Sequence, residues 1–275
     1  MPVRKTQKVV EPVVVIPQKS FAEKAFPYLM GVIMLMIVSQ MLMWNKVNSN
    51  TNPTQKAGTT VKISDIKNLF KKDVLKFGDA SKKVLFVEVG DPSCPFCHVA
   101  AGQNPELNAQ IDQRFKLTTD GGTYLPPVPQ MKKMVEEGKA GMVIIYTSWH
   151  GNGEMGMLAL YCAQDMGRFW QVHDMLYSKA GYSLLNDVVK NERAKSGVLA
   201  EFLKPAADSK QLQDCLDSGK YSNRLSADIK LASSLGVSGT PGFFVNEKLF
   251  AGAYSWKDME PDVTKALNKK GWLGL

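Results

Sequence analysis

The sequence predicts an α/β domain that carries a helical insertion, placed behind one N-terminal membrane-spanning helix. Three observations predict it. Residues 26–44 contain no charged residue. The short apolar run Val84-Leu85-Phe86-Val87-Glu88-Val89 leads into Cys94-Pro95-Phe96-Cys97, where a helix can start. A long helical stretch then separates a second apolar strand from two short strands that follow Gly239-Thr240-Pro241.

The apolar run comes first in the chain. As a helix, residues 26–44 would rise about 28 Å, close to the hydrocarbon thickness of a bilayer. Tyr28 and Trp44 stand near its ends, where interfacial aromatics sit. A buried core helix fits poorly with so long an uncharged run between Lys24 and Lys46. A cleaved signal peptide fits better, but the preceding tail is long and no Ala-x-Ala site follows. Arg4, Lys5, Lys8, Lys19 and Lys24 precede the span, and fewer basic residues follow it closely. The positive-inside rule therefore keeps the tail, residues 1–25, in the cytoplasm and exports the rest. The expected location is the cell membrane, single-pass, with a signal-anchor. Residues 45–62 are polar and read as a flexible linker, and residues 63–275 as the folded domain.

Composition is that of a globular protein, with 44% hydrophobic and 22% charged residues in 275. The formal net charge is +8. The basic residues are dispersed and no basic run is interleaved with aromatics, so no nucleic-acid partner is expected. The four cysteines, Cys94, Cys97, Cys162 and Cys215, all follow the span. Export would place them where disulfides persist.

Within the folded part, residues 63–70 read as a short amphipathic helix. Val84 to Val89 has the composition of a strand covered on both faces. Asp91-Pro92-Ser93 breaks it, and Pro95 suits the first turn of a helix. Residues 102–129 hold a Gly-Gly pair and several prolines and read as an irregular insertion. Residues 131–137 read as a helix, and Met142-Val143-Ile144-Ile145-Tyr146 as the second strand. From about 150 to 235 the pattern is helical. Tyr221, Leu225, Ile229, Ala232 and Leu235 recur at helical spacing before Gly236. Phe243-Phe244-Val245 and Lys248-Leu249-Phe250 form a hairpin about Asn246-Glu247, although Glu is a poor residue for a tight turn. A last amphipathic helix spans residues 257–268.

Thiol–disulfide exchange needs one exposed thiolate and a second thiol within bonding reach. A cysteine at a helix N-terminus has free backbone N–H groups and the helix dipole to favour its anion. The dipole alone lowers the Cys94 pKa by about 1.5, from ~2 kcal/mol at most. A larger fall needs hydrogen bonds to the sulfur, which the side chain of Phe96 cannot supply. The string Cys94-Pro95-Phe96-Cys97-His98 is also a c-type haem attachment pattern. A haem site would not call for the Val-rich strand before it. A zinc site would want a second CxxC, and none exists.

These motifs together resemble the DsbA-like branch of the thioredoxin superfamily. The resemblance covers residues 80–270 and rests on four stretches. They are the strand leading to Asp91-Pro92-Ser93-Cys94-Pro95-Phe96-Cys97-His98; the run Ala159-Leu160-Tyr161-Cys162-Ala163-Gln164 with Gly167-Arg168-Phe169-Trp170 and His173-Asp174; Cys215-Leu216-Asp217-Ser218-Gly219-Lys220-Tyr221; and Gly239-Thr240-Pro241. It implies a thioredoxin-like fold with an inserted helical domain. It also implies Cys94 as nucleophile, Cys97 as resolving thiol, and a cis-proline loop whose Thr240 backbone pairs with substrate. Pro95, Phe96, Thr240 and Pro241 would then touch substrate. Glu88 matches the family's buried carboxylate, and an acid inside an apolar strand invites the same reading, as against a strand-edge charge facing solvent. Cys162 and Cys215 match the placement of a structural disulfide in some members, the alternative being two buried free thiols. Phe96 stands where the best-known pattern has histidine, and the 102–129 insertion is an addition.

The function so implied is an extracytoplasmic oxidoreductase that forms disulfides in exported, reduced proteins. A quinone-linked membrane thiol oxidase of the DsbB or vitamin K epoxide reductase type would reoxidise it. No cofactor or metal is expected, and the expected state is a monomer. An isomerase or reductase with the same centre is the alternative, followed by a haem electron carrier or a thioredoxin-fold peptide-binding module. Of the histidines, His98 follows the pair on its helix, His150 begins a loop, and His173 reads as a packed helix residue.

Overall fold

The computed structural model describes residues 60–269. The tail, the apolar run 26–44 and most of the linker lie outside the described residues. Among those described, no helix is long and apolar enough to cross a membrane.

The chain enters through α1 (Ile63–Leu69), a short edge strand β1 (Leu75–Phe77) and the central strand β2 (Val84–Gly90). Helix α2 (Pro95–Ala101) begins directly after Cys94. Helices α3 (Pro105–Ile111) and α4 (Pro127–Glu136) lead to β3 (Ala140–Tyr146). Six helices follow: α5 (Glu154–Asp165), α6 (Phe169–Leu176), α7 (Lys179–Ser183), α8 (Ser196–Leu203), α9 (Ser209–Ser218) and α10 (Ser222–Ser234), with a π-helical turn at Leu184–Val189. The hairpin β4 (Gly242–Val245) and β5 (Lys248–Ala251) and helix α11 (Trp256–Asn268) close the chain.

The strands form one sheet in the order β1-β3-β2-β4-β5. β2 runs parallel to β3, with Glu88 opposite Ile144, and antiparallel to β4, with Glu88 opposite Phe243. Every residue of β2 and β3 is buried. Strand periodicity divides them between the two faces. Leu85, Val87, Val89, Val143 and Ile145 pack on the side of Ile66, Leu69 and Ala232. Phe86, Met142, Ile144 and Tyr146 face the cluster that contains Cys94, Cys97 and residues of helices α4, α5, α6, α8 and α9.

Two elements differ from the sequence reading. β1 is a third partner of the parallel pair, antiparallel to β3, and its three residues are too few to show a period. The segment 102–129 is not irregular throughout. Asn104 caps α3 by accepting from the Leu107 N–H at 3.3 Å, and two short 3₁₀ turns follow. The several prolines there open helices at their first turns, where a missing N–H costs nothing. In the hairpin only Asn246 takes positive φ, at 53°, so Glu247 is spared the conformation it would resist. Asn246 also ties the turn to β2, accepting from the Leu85 N–H at 2.8 Å.

The helical layer is pinned in two places. Cys162 on α5 and Cys215 on α9 form a disulfide across 53 residues of sequence, with Cα atoms 6.0 Å apart. Asp228 of α10 is buried and accepts from the Tyr161 hydroxyl at 2.6 Å and the Tyr146 N–H at 3.2 Å, which joins α5 to the end of β3. Closing a loop of that length restricts the unfolded chain by about 4 kcal/mol. Replacing Cys162 and Cys215 together by alanine should therefore lower unfolding stability by about 4 kcal/mol in denaturant titration. Reducing agent should have little further effect on the stability of the double variant.

Candidate active site

The parallel strand β2 ends at Gly90, and the turn after it carries the thiol pair. Asp91 organises this turn. One of its carboxyl oxygens accepts from the Ser93 N–H at 2.9 Å and the Ser93 hydroxyl at 2.7 Å. The other accepts from the His150 N–H at 3.0 Å, which fastens the loop after β3 to the same turn. Cys94 is then the N-cap of α2 and Pro95 its first residue. Cys94 and Cys97 are free thiols.

The second half of the site comes from the far end of the chain. The Thr240–Pro241 peptide is cis. It brings the Thr240 carbonyl within 3.4 Å of Cys94 Sγ, close enough to accept from the thiol. Gly242, which follows, packs against Val237 at the start of the same loop: a Cβ there would lie 2.7 Å from Cγ1 of Val237. The Thr240 hydroxyl is buried and free to donate to a thiolate at Cys94.

The two sulfurs have opposite electrostatics. The Cys94 thiol is pulled down to about 6. The leading cause is the Cys97 thiol donating to it, helped by the Thr240 side chain, the Cys97 N–H and His150, while burial opposes. Cys97 is pushed well above the ordinary thiol range by burial first, and by its neighbour Cys94 second. The depression at Cys94 exceeds what the helix dipole supplies, and specific hydrogen bonds make the difference.

One expectation is overturned. Cys94 is not an exposed thiolate; it has no exposed surface. The Thr240 loop lies on the sulfur, and Phe96, 37% exposed, is the residue of the motif that reaches solvent. Pro95 is partly buried at the helix start.

Glu88 projects from β2 on the thiol face and is 2% exposed. It therefore does not face solvent at a strand edge. Burial raises its pKa to about 7, and one of its oxygens has no partner. Glu88 and Cys97 converge on Gly90: a Cβ there would be 3.4 Å from Glu88 Oε1 and 3.8 Å from Cys97 Sγ. His98 is fully buried, with Nδ1 2.9 Å from the Tyr177 carbonyl and Nε2 2.9 Å from that of Pro92. No ring nitrogen is left to bind iron, which argues against the haem reading of the CxxCH string.

Sequence reasoning missed the wall beside this centre. Phe115 and Tyr124, from the 102–129 segment, pack edge to face at 5.4 Å, and Phe115 meets Phe96 at 6.0 Å. With Arg114, Thr240 and Tyr254 they line an open cleft of about 760 Å³ next to Cys94. No periodicity marks these residues, because they lie in turns.

The profile of the family described as "Thioredoxin" matches residues 127–264, half of the chain. The chain belongs to the thioredoxin family. That match spans the helical layer and the Thr240–Pro241 loop and begins beyond the thiol pair. Among curated proteins, the chain is similar to disulfide bond formation protein D of Bacillus subtilis, 21% identical over 70% of this chain and 77% of that protein. It is also similar to the Na(+)/H(+) antiporter NhaA 1 of Salinispora arenicola, 25% identical over 69% of this chain, though the match spans only 24% of that protein. Solved structures share the fold. BdbD from B. subtilis has a TM-score of 0.51 at 20% identity, over 70% of this chain and 92% of that one. ScsC from Proteus mirabilis has 0.53 at 16%, over 92% and 98%. DsbA from Chlamydia trachomatis has 0.51 at 17%, over 73% and 94%. The chain is thus a thioredoxin-family protein that shares the fold of DsbA, BdbD and ScsC.

The Glu88 carboxyl yields a pH prediction. Its pKa of about 7 in the folded protein stands above the ordinary 4.5, so the folded state holds this proton more tightly than the unfolded chain. The contribution is fully present below pH 4.5 and is lost as pH rises to about 7. Glu88→Gln should remove this fall, worth about 3 kcal/mol across the window. The slope from Asp228, raised by burial to about 6, remains. Chemical denaturation of both proteins from pH 4 to 8 checks the difference.

Proposed function

We propose that this chain is an extracytoplasmic thiol–disulfide oxidoreductase that forms disulfides in exported proteins. The observation that carries the reading is the asymmetry of the thiol pair under the Thr240–Pro241 loop: Cys94 drawn towards thiolate, Cys97 held as thiol.

Cys94 is the nucleophile and Cys97 the resolving thiol. In the oxidised enzyme the two sulfurs are bonded. A substrate thiolate attacks Cys94 Sγ, the Cys94–Cys97 bond breaks, and the electron pair leaves on Cys97. Glu88 near neutrality is poised to give Cys97 its proton and later to take one back. A second substrate thiolate attacks the substrate sulfur of the mixed disulfide, and Cys94 departs as thiolate. The substrate has lost two electrons and the enzyme holds a dithiol. Reoxidation by a quinone-linked membrane thiol oxidase restores the disulfide as quinone becomes quinol. Because Cys94 is covered, the thiol–carbonyl contact with Thr240 gives way when a substrate strand pairs with that backbone. Pro95, Phe96 and Pro241 frame the entry, and the aromatic cleft beside them receives the flanking substrate residues.

Residues 26–44 serve as the anchor and place the thiols in an oxidising compartment. The low pKa of Cys94 stabilises the reduced enzyme relative to a plain dithiol and so favours oxidation of substrate. A value of about 6 lies between the ~7 of a strong reductant and the ~3.5 of a strong oxidant, and this supports an oxidising direction milder than the latter's.

The full chain in detergent micelles, equilibrated with glutathione redox buffers, should show a Cys94–Cys97 potential above about −200 mV. A value near about −270 mV overturns the oxidase direction. Cys94→Ser should abolish oxidation of a reduced, unfolded test protein, and Cys97→Ser should accumulate mixed disulfides with it. Full turnover by Cys94→Ser contradicts the mechanism.

A further inference from the structure

His98 is a buried ring whose two nitrogens both meet carbonyl oxygens. Nε2 is 2.9 Å from the Pro92 carbonyl, in the turn before Cys94. Nδ1 is 2.9 Å from the Tyr177 carbonyl, at the end of α6 in the helical layer. A carbonyl oxygen only accepts, and a neutral imidazole has one N–H to give. In either neutral tautomer one contact would set a bare nitrogen lone pair against an oxygen lone pair. Only the doubly protonated ring satisfies both, by two charge-assisted hydrogen bonds.

We propose that His98 is held as an imidazolium and acts as a positioning residue for the thiol pair, clamping the active-site turn to the helical layer with its charge one helical turn from Cys94. The inference rests on the reading of Cys94 as the nucleophile whose thiolate this charge favours.

The surroundings bear on the charge from every side. The rings of Tyr177 and Tyr182 lie 4.9 and 4.8 Å away, centroid to centroid, and present π-systems to a cation. Asp91 shares the turn that carries Pro92, Glu88 lies behind it on β2, and the reactive sulfurs share its helix. His173 on α6 faces the same space and is kept towards its neutral form by burial. Burial and His173 oppose the His98 charge more than the two carbonyls support it, and that balance alone would leave the ring at about 4. The contact pattern is that of the charged ring. His98 also takes a role that Phe96 cannot, since Phe96 offers neither charge nor donor between the cysteines.

The test is ring ¹⁵N spectroscopy on the full chain in detergent micelles. The sequence has three histidines, and the His98 signals are those whose ring protons show through-space contacts to the rings of Tyr177 and Tyr182. Both ring nitrogens should be protonated at pH 7. A bare nitrogen at pH 7 overturns the proposal, and this measurement on the unaltered protein decides it even where the variant does not fold. In the folded His98→Gln protein, which keeps a donor but not the charge, the Cys94 thiolate absorbance should titrate about one pH unit higher, a tenfold loss of thiolate on the acid side. An unchanged midpoint overturns the electrostatic role. Neither readout requires turnover. A neutral ring in a chain that exchanges disulfides sinks this inference alone, whereas an imidazolium in a chain that exchanges none sinks only the oxidoreductase reading.

Discussion

The close approach of Cys94 Sγ to the Thr240 carbonyl is the contact on which the rest of the site depends. It joins segments 146 residues apart. Sheet order makes it possible: β2 and β4 are antiparallel neighbours, so the end of one and the start of the other lie at the same edge. The turn after Gly90 and the cis peptide before Gly242 then face each other across that edge. Crevices outside the carboxyl ends of parallel strands are where such folds place their chemistry. Here the crevice is narrow enough that the loop covers the sulfur.

Burial acts on each titratable group of the site, and hydrogen-bond partners decide what results. Cys97 and Glu88 are buried without compensating charge, and both stay protonated to a higher pH than usual. Cys94 is buried too, but its sulfur accepts hydrogen bonds, and its pKa falls. The two thiols of one helical turn are therefore set apart in acidity by their environments. His98 presents the same contest in sharper form, because desolvation and two carbonyl acceptors press in opposite directions on one ring.

The helical layer is more than an ornament on the sheet. It supplies the Tyr177 carbonyl to His98 and fixes itself to β3 through Asp228 and Tyr161. The disulfide between α5 and α9 holds that layer together from within. The segment 102–129 builds the opposite wall. Its Leu125 exchanges hydrogen bonds with Ser255 and Trp256 at the start of α11, which seats Phe115 and Tyr124 beside Phe96.

Local pattern was enough to show the central strands, the long helices and the thiol helix start. The run Val84 to Val89 and the run Met142 to Tyr146 are apolar because both faces are covered, and that signal is carried by the residues themselves. Gly236, at φ 71°, ends a helix that its own spacing announces. Side-chain direction along β2 was legible too, for period two puts Glu88 with Phe86 on one face, although which face held the thiols was not. The edge strand β1, the aromatic wall and the partners of His98 and Asp228 left no trace of this kind, since each depends on a neighbour distant in sequence. Asp228 occupies the buried side of α10, and its partners Tyr161 and Tyr146 come from elements distant in sequence. The sequence by itself determined which residues could do thiol chemistry and on which elements they sit. Only the tertiary structure decided how acidic each one is and whether Cys94 is open or covered, because both follow from desolvation and hydrogen bonds that exist only once distant segments have met.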